Sequence, residues 1–239
     1  MGCKTEGELS MVKMATDKYR NGIISLWQEA FGDTEAFING FLDNMGYTEN
    51  MLIYESNDDV LGMASMLPVF CGENKGRYIY AVATRKEHQG EGICQNIMKA
   101  VDQFIVRNNE KFAVLVPAGE SLFGFYEKMG YNQKIYQPDL PQINEIGQRC
   151  SIFEYFKIRE NLFKNYNLIG WSSKSLEYIL SFGETHFCGN GAIYREGNEI
   201  KEALVPELFN SKWTKPFAEI KYYDKNLRFS KPYFGLCIN

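Results

Sequence analysis

One segment restricts the possible folds more than any other. Val82-Ala83-Thr84-Arg85-Lys86-Glu87-His88-Gln89-Gly90-Glu91-Gly92-Ile93-Cys94 runs from a strand through a glycine-containing turn into a long helix. The first amides of a helix have no partner inside it, and the positive end of the helix dipole adds to their attraction for anions. Gly90, Gly92 and the small Cys94 keep side chains out of the approach, so the spacing predicts a helix N-terminus open to a pyrophosphate. Two common phosphate-binding designs do not fit. A dinucleotide fingerprint needs a third glycine where Gln95 stands, and the strands before this turn form hairpins instead of a βαβ unit. A P-loop needs Gly-Lys followed by Ser or Thr, which is absent.

The elements around the turn follow from periodicity. Ile23, Ile24, Trp27, Ala30 and Phe31 recur at helical spacing from Asp17 to Gly32, and Thr34 caps a second helix carrying Phe37, Ile38, Phe41 and Leu42. Met51–Tyr54 and Val60–Phe70 are apolar runs separated by Asn57-Asp58-Asp59, which predicts an antiparallel hairpin, with a third strand at Arg77–Thr84. Ile93, Ile97, Val101, Phe104 and Ile105 form one stripe of a helix over Gln89–Asn108. Phe112–Val116 reads as a strand buried on both faces and stopped by Pro117; a short helix with Leu122, Phe125, Tyr126 and Met129 and a strand at Tyr131–Tyr136 complete an ααβββαβαβ order.

Beyond a Pro-containing stretch at Gln137–Gln148, helices are predicted at Ile152–Phe163 and Ser173–Leu180. Strands are predicted at Gly191–Arg195 and Ile200–Val205, with two more among Phe217–Tyr223 and Tyr233–Ile238. The division is therefore a tail or expression remnant over residues 1–13, a first domain over 14–138, and a smaller α/β unit over 139–239. Ile53–Val60 resembles Ile193–Ile200; a degenerate internal repeat and ordinary hairpin composition both account for the likeness.

Composition narrows the function classes. The 239 residues carry 26 Lys and Arg against 30 Asp and Glu, a net charge of −4, which lacks the broad positive field of a general nucleic-acid binder. Six cysteines lack C-x-x-C spacing and there are only two histidines, His88 and His186, so reduced thiols in the cytoplasm and no metal centre are expected. No apolar run has the length of a membrane span, and the polar start from Met1 to Leu9 is neither a signal peptide nor, with Glu6 where Ser or Thr belongs, a myristoylation motif.

With the turn in view, the sequence resembles the GNAT superfamily of acyl-CoA-dependent N-acetyltransferases. Gln89, Gly92 and Cys94 fill that family's signature of Gln or Arg, two residues, Gly, one residue, then Gly or Ala, with the slightly larger Cys94 as the departure. Phe125-Tyr126-Glu127-Lys128-Met129-Gly130-Tyr131 matches its second marker, and the element order agrees over about residues 17–136. The resemblance implies an α/β (α+β) fold with a mixed, mostly antiparallel central sheet flanked by helices. It implies acetyl-CoA as acyl donor, its pantetheine arm along Val82, Ala83 and Thr84 and its pyrophosphate on amides of Gly90, Glu91, Gly92, Ile93, Cys94 and Gln95. Tyr126 becomes the candidate general acid toward departing CoA, although it also falls on its helix's apolar stripe, where packing alone would explain it.

The base is less legible. Phe112–Val116 contains no carboxylate; Glu120 lies just beyond it and is the candidate, with capping of the next helix as the competing reading. The carboxylate at Asn239 is another candidate, because acetyltransferases of the enhanced-intracellular-survival type, which the two-unit layout resembles, use their C-terminus in this way. The expected activity is acetyl transfer to a primary amine of a small molecule or peptide by direct attack. Two rivals stay open: a non-catalytic acyl-CoA-binding or regulatory module, and amide formation from a charged tRNA, which the acidic balance opposes. Neither acceptor nor oligomeric state is written in the sequence.

Overall fold

The structure, a computed structural model, describes residues 11–137, 143, 145–210 and 213–234. Its first half follows from local signals. Helix α1 (Arg20–Phe31) stops at Gly32, whose φ of 74° accepts the left-handed conformation that ends helices; α2 (Glu35–Met45) starts where the Thr34 hydroxyl accepts from Phe37 N, and a single turn, α3 (Tyr47–Asn50), leads into the sheet. Strands β2 (Met51–Ser56) and β3 (Asp59–Cys71) are joined by Asn57 and Asp58, both at positive φ, as a two-residue hairpin turn of this hand requires. Strand β4 (Asn74–Thr84) returns beside β3, and α4 (Ile93–Arg107) follows, shorter at its start than the periodicity predicts because residues 89–92 form the turn. Strand β5 (Phe112–Leu115), helix α5 (Glu120–Glu127) and strand β6 (Gln133–Gln137) close the half.

A short first strand, β1 (Val12–Met14), pairs antiparallel with β2, placing Met14 opposite Leu52. The tail expected over residues 1–13 therefore ends sooner: three residues carry too little periodicity to announce a strand, and pairing with β2 supplies what the local sequence lacks.

The second half contains α6 (Ile152–Leu162), β7 (Asn167–Leu168), β8 (Gly170–Trp171), α7 (Ser173–Leu180), β9 (Glu184–Cys188), β10 (Gly191–Glu196), β11 (Glu199–Leu204), β12 (Lys215–Tyr222) and β13 (Pro232–Tyr233). Strands β9 to β11 form their own three-stranded meander. Its β10–β11 hairpin shares with β2–β3 a two-residue turn and a register shift at the equivalent step, Tyr194/Arg195 against Tyr54/Glu55. The strand expected over Tyr233–Ile238 is seen as Pro232–Tyr233; residues 235–239, with the Asn239 carboxylate, lie outside the described ones.

The main sheet runs β1-β2-β3-β4-β5-β12-β6, with β8 on an outer part of β3, and is antiparallel except for the β4–β5 pair. Strand β12, assigned to the second unit by the sequence reading, thus belongs to the main sheet, inserted between β5 and β6. An alternating apolar pattern shows that a strand forms but not which edge it joins, and the open edges of β5 and β6 provide unpaired backbone groups for it.

Helices cover both faces. Ile23, Leu26 and Trp27 of α1 and Ile38, Phe41 and Leu42 of α2 are buried on one face, together with side chains of the second half; Ile93, Ile97, Met98, Val101 and Ile105 of α4 pack with Leu115 and Tyr126 on the other. Burial of each such side chain stabilises by about 1.5–3 kcal/mol. The second half has a charged centre: Glu202, 1% exposed, accepts from Tyr155 Oη (2.6 Å), Tyr233 Oη (3.0 Å) and the buried Arg159 Nε (3.2 Å). The carboxylate is tolerated there because its oxygens are surrounded by donors. No helix among the described residues is long and apolar enough to cross a membrane.

Candidate active site

The site begins where two parallel strands part. Strands β4 and β5 pair from Gly76 opposite Phe112 to Ile79 opposite Leu115, and there β5 ends. Pro117, two residues on, has no N–H to continue a ladder, while β4 runs on to Thr84. The edge of β4 from Tyr80 onward therefore lacks its β5 neighbour. On its other edge β4 bulges: Met63 faces Ala83 and Ser65 faces Tyr80, so Ala64 alone opposes Ala81 and Val82. Ala81 has a φ of 51°, a strained conformation for a residue with a side chain, costing about 1–3 kcal/mol.

This splay holds a cavity of about 350 Å³ lined by side chains from both faces of the sheet. On the α4–α5 face it is walled by Leu115, Leu122 and Tyr126, and on the α1–α2 face by Phe31, Asp33, Tyr78 and Tyr80; Ala81 and Val82 contribute at the bulge. Two reactants can thus meet from opposite sides of the sheet, as direct transfer between them demands.

The glycine turn lies at the α4 end of the same strand. Gly90 and Gly92 have φ of 86° and 85°, values that favour glycine, and a Cβ at Gly90 would meet nothing within 4 Å. The first helical bond runs from Asn96 N to Gly92 O (3.0 Å), so the amides of Ile93, Cys94 and Gln95 precede it at the open end of α4. Gln89, Gly90, Glu91 and Gln95 are exposed, Cys94 half-buried and Ile93 buried. The turn is fixed from α1: Glu29 accepts from Lys86 N (2.8 Å) and Arg85 Nη1 (2.6 Å), and the Lys86 amide first, then Arg85, holds its carboxyl below the usual range. Val82 lines the cavity, whereas Ala83 and Thr84 pair with Met63 and Gly62 further along β4. Unpaired amides, an unpaired strand edge and an apolar cleft together fit a chain of amides ending in a diphosphate.

Tyr126 is brought to this cavity and is only 8% exposed. Burial, reinforced by Cys94 and Glu219, pushes its phenol well above the ordinary tyrosine value and keeps it protonated at neutral pH. Burial also pushes the Cys94 thiol up to about 11, so it is a neutral neighbour and not a thiolate nucleophile. Glu120 sits exposed in the first turn of α5 and is not among the residues lining the cavity.

The structure adds two carboxyl groups that sequence reasoning passed over, Asp33 lining the cavity and Glu219 beside its lining residue Leu115 without lining it. Glu219 on β12 stands opposite Leu115, the last paired residue of β5, and is 1% exposed with no hydrogen-bond partner for Oε2 among the described residues. Burial pushes its carboxyl up to about 7, against the pull of Lys134 and with help from Glu127. The signal was present as a lone acid between Ala218 and Ile220, but its site neighbours depend on the pairing of β12. Asp33, between α1 and α2, accepts from the buried indole Nε1 of Trp27 (2.8 Å) and faces the cavity from the opposite side.

Comparisons with known proteins bear on the fold. The family model described as the acetyltransferase (GNAT) domain matches residues 11–133. A GCN5-related N-acetyltransferase from Kribbella flavida superposes with a TM-score of 0.60 at 13% identity, covering 90% of this chain and 64% of that one. A protein of Pyrococcus horikoshii assigned to the acetyltransferases gives 0.62 at 11% identity over 98% and 97% of the two chains, and a GCN5-related N-acetyltransferase from Anabaena variabilis 0.55 at 17% over 80% and 52%. At these identities the likeness shows the fold, and the chain spans well under the full length of two of the three. No curated protein matches it in sequence.

Proposed function

The chain belongs to the GNAT acetyltransferase family, and from that premise we propose that it transfers an acetyl group from acetyl-CoA to a primary amine by direct attack. The observation that carries this reading is the cavity at the splay, lined by Tyr126 from one face of the sheet and by Asp33 from the other. Acetyl-CoA enters from the α4–α5 face, its diphosphate on the amides of residues 90–95 and its pantetheine arm along the free edge of β4 at Val82–Thr84.

The acceptor reaches the thioester as a neutral amine after releasing one proton to solvent. Its nitrogen lone pair forms the new C–N bond at the thioester carbon, and the carbonyl oxygen takes the displaced π pair beside the backbone of Ala81 and Val82. The C–S bond then breaks with its electron pair on sulfur, and the thiolate takes the proton of Tyr126. The amide nitrogen releases its remaining surplus proton to solvent. Glu219, whose proton exchanges near neutral pH on the same face, returns a proton to the phenol between turnovers. The second half of the chain backs the acceptor side, since Trp171 and Phe234 pack edge-on against Tyr78 at 5.4 and 5.0 Å.

Thiol release from acetyl-CoA in the presence of an amine panel tests the reading. Tyr126→Phe keeps the ring and removes the proton, so kcat falls about 100-fold while thermal stability stays near that of the wild type. Equal turnover by the variant would leave Tyr126 as packing. A second reading, a non-catalytic acyl-CoA-binding module, is favoured by the absence of any carboxylate in β5; it predicts tight CoA binding with no amine-dependent thiol release in the wild type.

A further inference from the structure

Among the described residues lining the cavity, Asp33 is the one charged side chain, and it lies on the face opposite Tyr126. Its surroundings are aromatic. Phe31 and Tyr80 stand 6.0 and 5.8 Å from the Trp27 ring, and Tyr78 lies 5.7 Å from Tyr80. One Asp33 oxygen accepts from Trp27 Nε1, and that bond satisfies an indole N–H that is fully buried. The other oxygen has no hydrogen-bond partner among the described residues. If satisfying Trp27 were the whole role, a neutral acceptor would do, because an indole N–H needs one lone pair. A half-buried carboxylate in a cavity that Phe31, Tyr78 and Tyr80 also line instead matches a cation, since charge-assisted hydrogen bonds and ring quadrupoles both favour an ammonium.

From this arrangement we infer that Asp33 selects the acceptor: it first binds the ammonium of an amine whose remaining body is apolar or aromatic and carries no acid group, and that nitrogen attacks only after it has released one proton to solvent. An acceptor with a carboxylate next to its amine would place a second anion near Asp33 with no lysine, arginine or histidine among the described lining residues to receive it. The inference rests on the acetyl-transfer reading, because it presumes that the amine side of the cavity is the α1–α2 face.

The test compares phenethylamine with phenylalanine, which differ in the carboxylate, in wild type and Asp33→Asn. Asparagine still accepts from Trp27, so the variant keeps its fold, checked by an unchanged thermal midpoint. Calorimetry first measures CoA binding to each protein, then binding of each amine to the CoA complex, and turnover is measured alongside. The expected result is equal CoA affinity in both proteins and a wild-type preference for phenethylamine of about tenfold or more. In Asp33→Asn that preference collapses, chiefly through KM. Failure of CoA to bind removes the acetyl-transfer reading and this inference with it. If CoA binds but neither amine does, or phenylalanine equals phenethylamine, or the preference survives in Asp33→Asn, the selection by Asp33 is wrong while the donor site stands.

Discussion

At the scale of single residues, Glu219 carries the sharpest consequence. Its carboxyl titrates at about 7 in the fold against 4.5 when unperturbed, because burial disfavours the charged form. The folded chain therefore binds a proton that the unfolded chain gives up between those values. Stability associated with the protonated group is complete below about pH 4.5 and is lost as pH rises through about 7. Glu219→Gln cannot ionise, so it should gain stability relative to wild type progressively from pH 4.5 to 7 and no further above, by about 3 kcal/mol in all. Denaturant unfolding at several pH values checks this, and a gap independent of pH would contradict it. Tyr126 was legible as a candidate because the motif around it is local, and it lines the cavity. Glu219 and Asp33 were not, since one depends on a strand pairing distant in sequence and the other on how α1 and α2 meet the splay.

Among the elements, α4 and the edge of β4 set the geometry of the proposed donor side. Gly62 on β3 sits opposite Thr84, and a Cβ there would come within 2.7 Å of both Ile93 Cγ2 and Ile97 Cδ1. The first turn of α4 lies that close to the sheet only because the position is glycine. Gly62→Val should lower stability by about 1–3 kcal/mol and weaken CoA binding as well, because the displaced helix start carries the amides of residues 93–95. Thermal unfolding and calorimetry together read both; a stable variant with unchanged affinity would show that α4 can shift freely. Helices and hairpins were readable from sequence because capping, turn chemistry and periodicity are local, as at Thr34, Asn57-Asp58 and the α4 stripe. Strand β1 was not, being three residues long, and neither was the partner of β12.

For the whole molecule, β12 ties the two halves of the sequence into one sheet. Ala218, Glu219 and Ile220 are each at most 1% exposed between β5 and β6. A chain ended at residue 138 keeps both glycine and tyrosine motifs but opens two strand edges and a strip of core, so it should aggregate or lose cooperative unfolding. A soluble, cooperatively melting fragment would mean that β5 and β6 pair without the insert. The central claim is that the amides between Gln89 and Gln95 hold the diphosphate of coenzyme A, and titration calorimetry of the full chain with CoA addresses it most directly. Saturable binding below about 1 mM, weakened about tenfold or more by Gly92→Trp in a folded variant, is the expected result. No binding to the wild type, or equal affinity in the two proteins, would contradict the account.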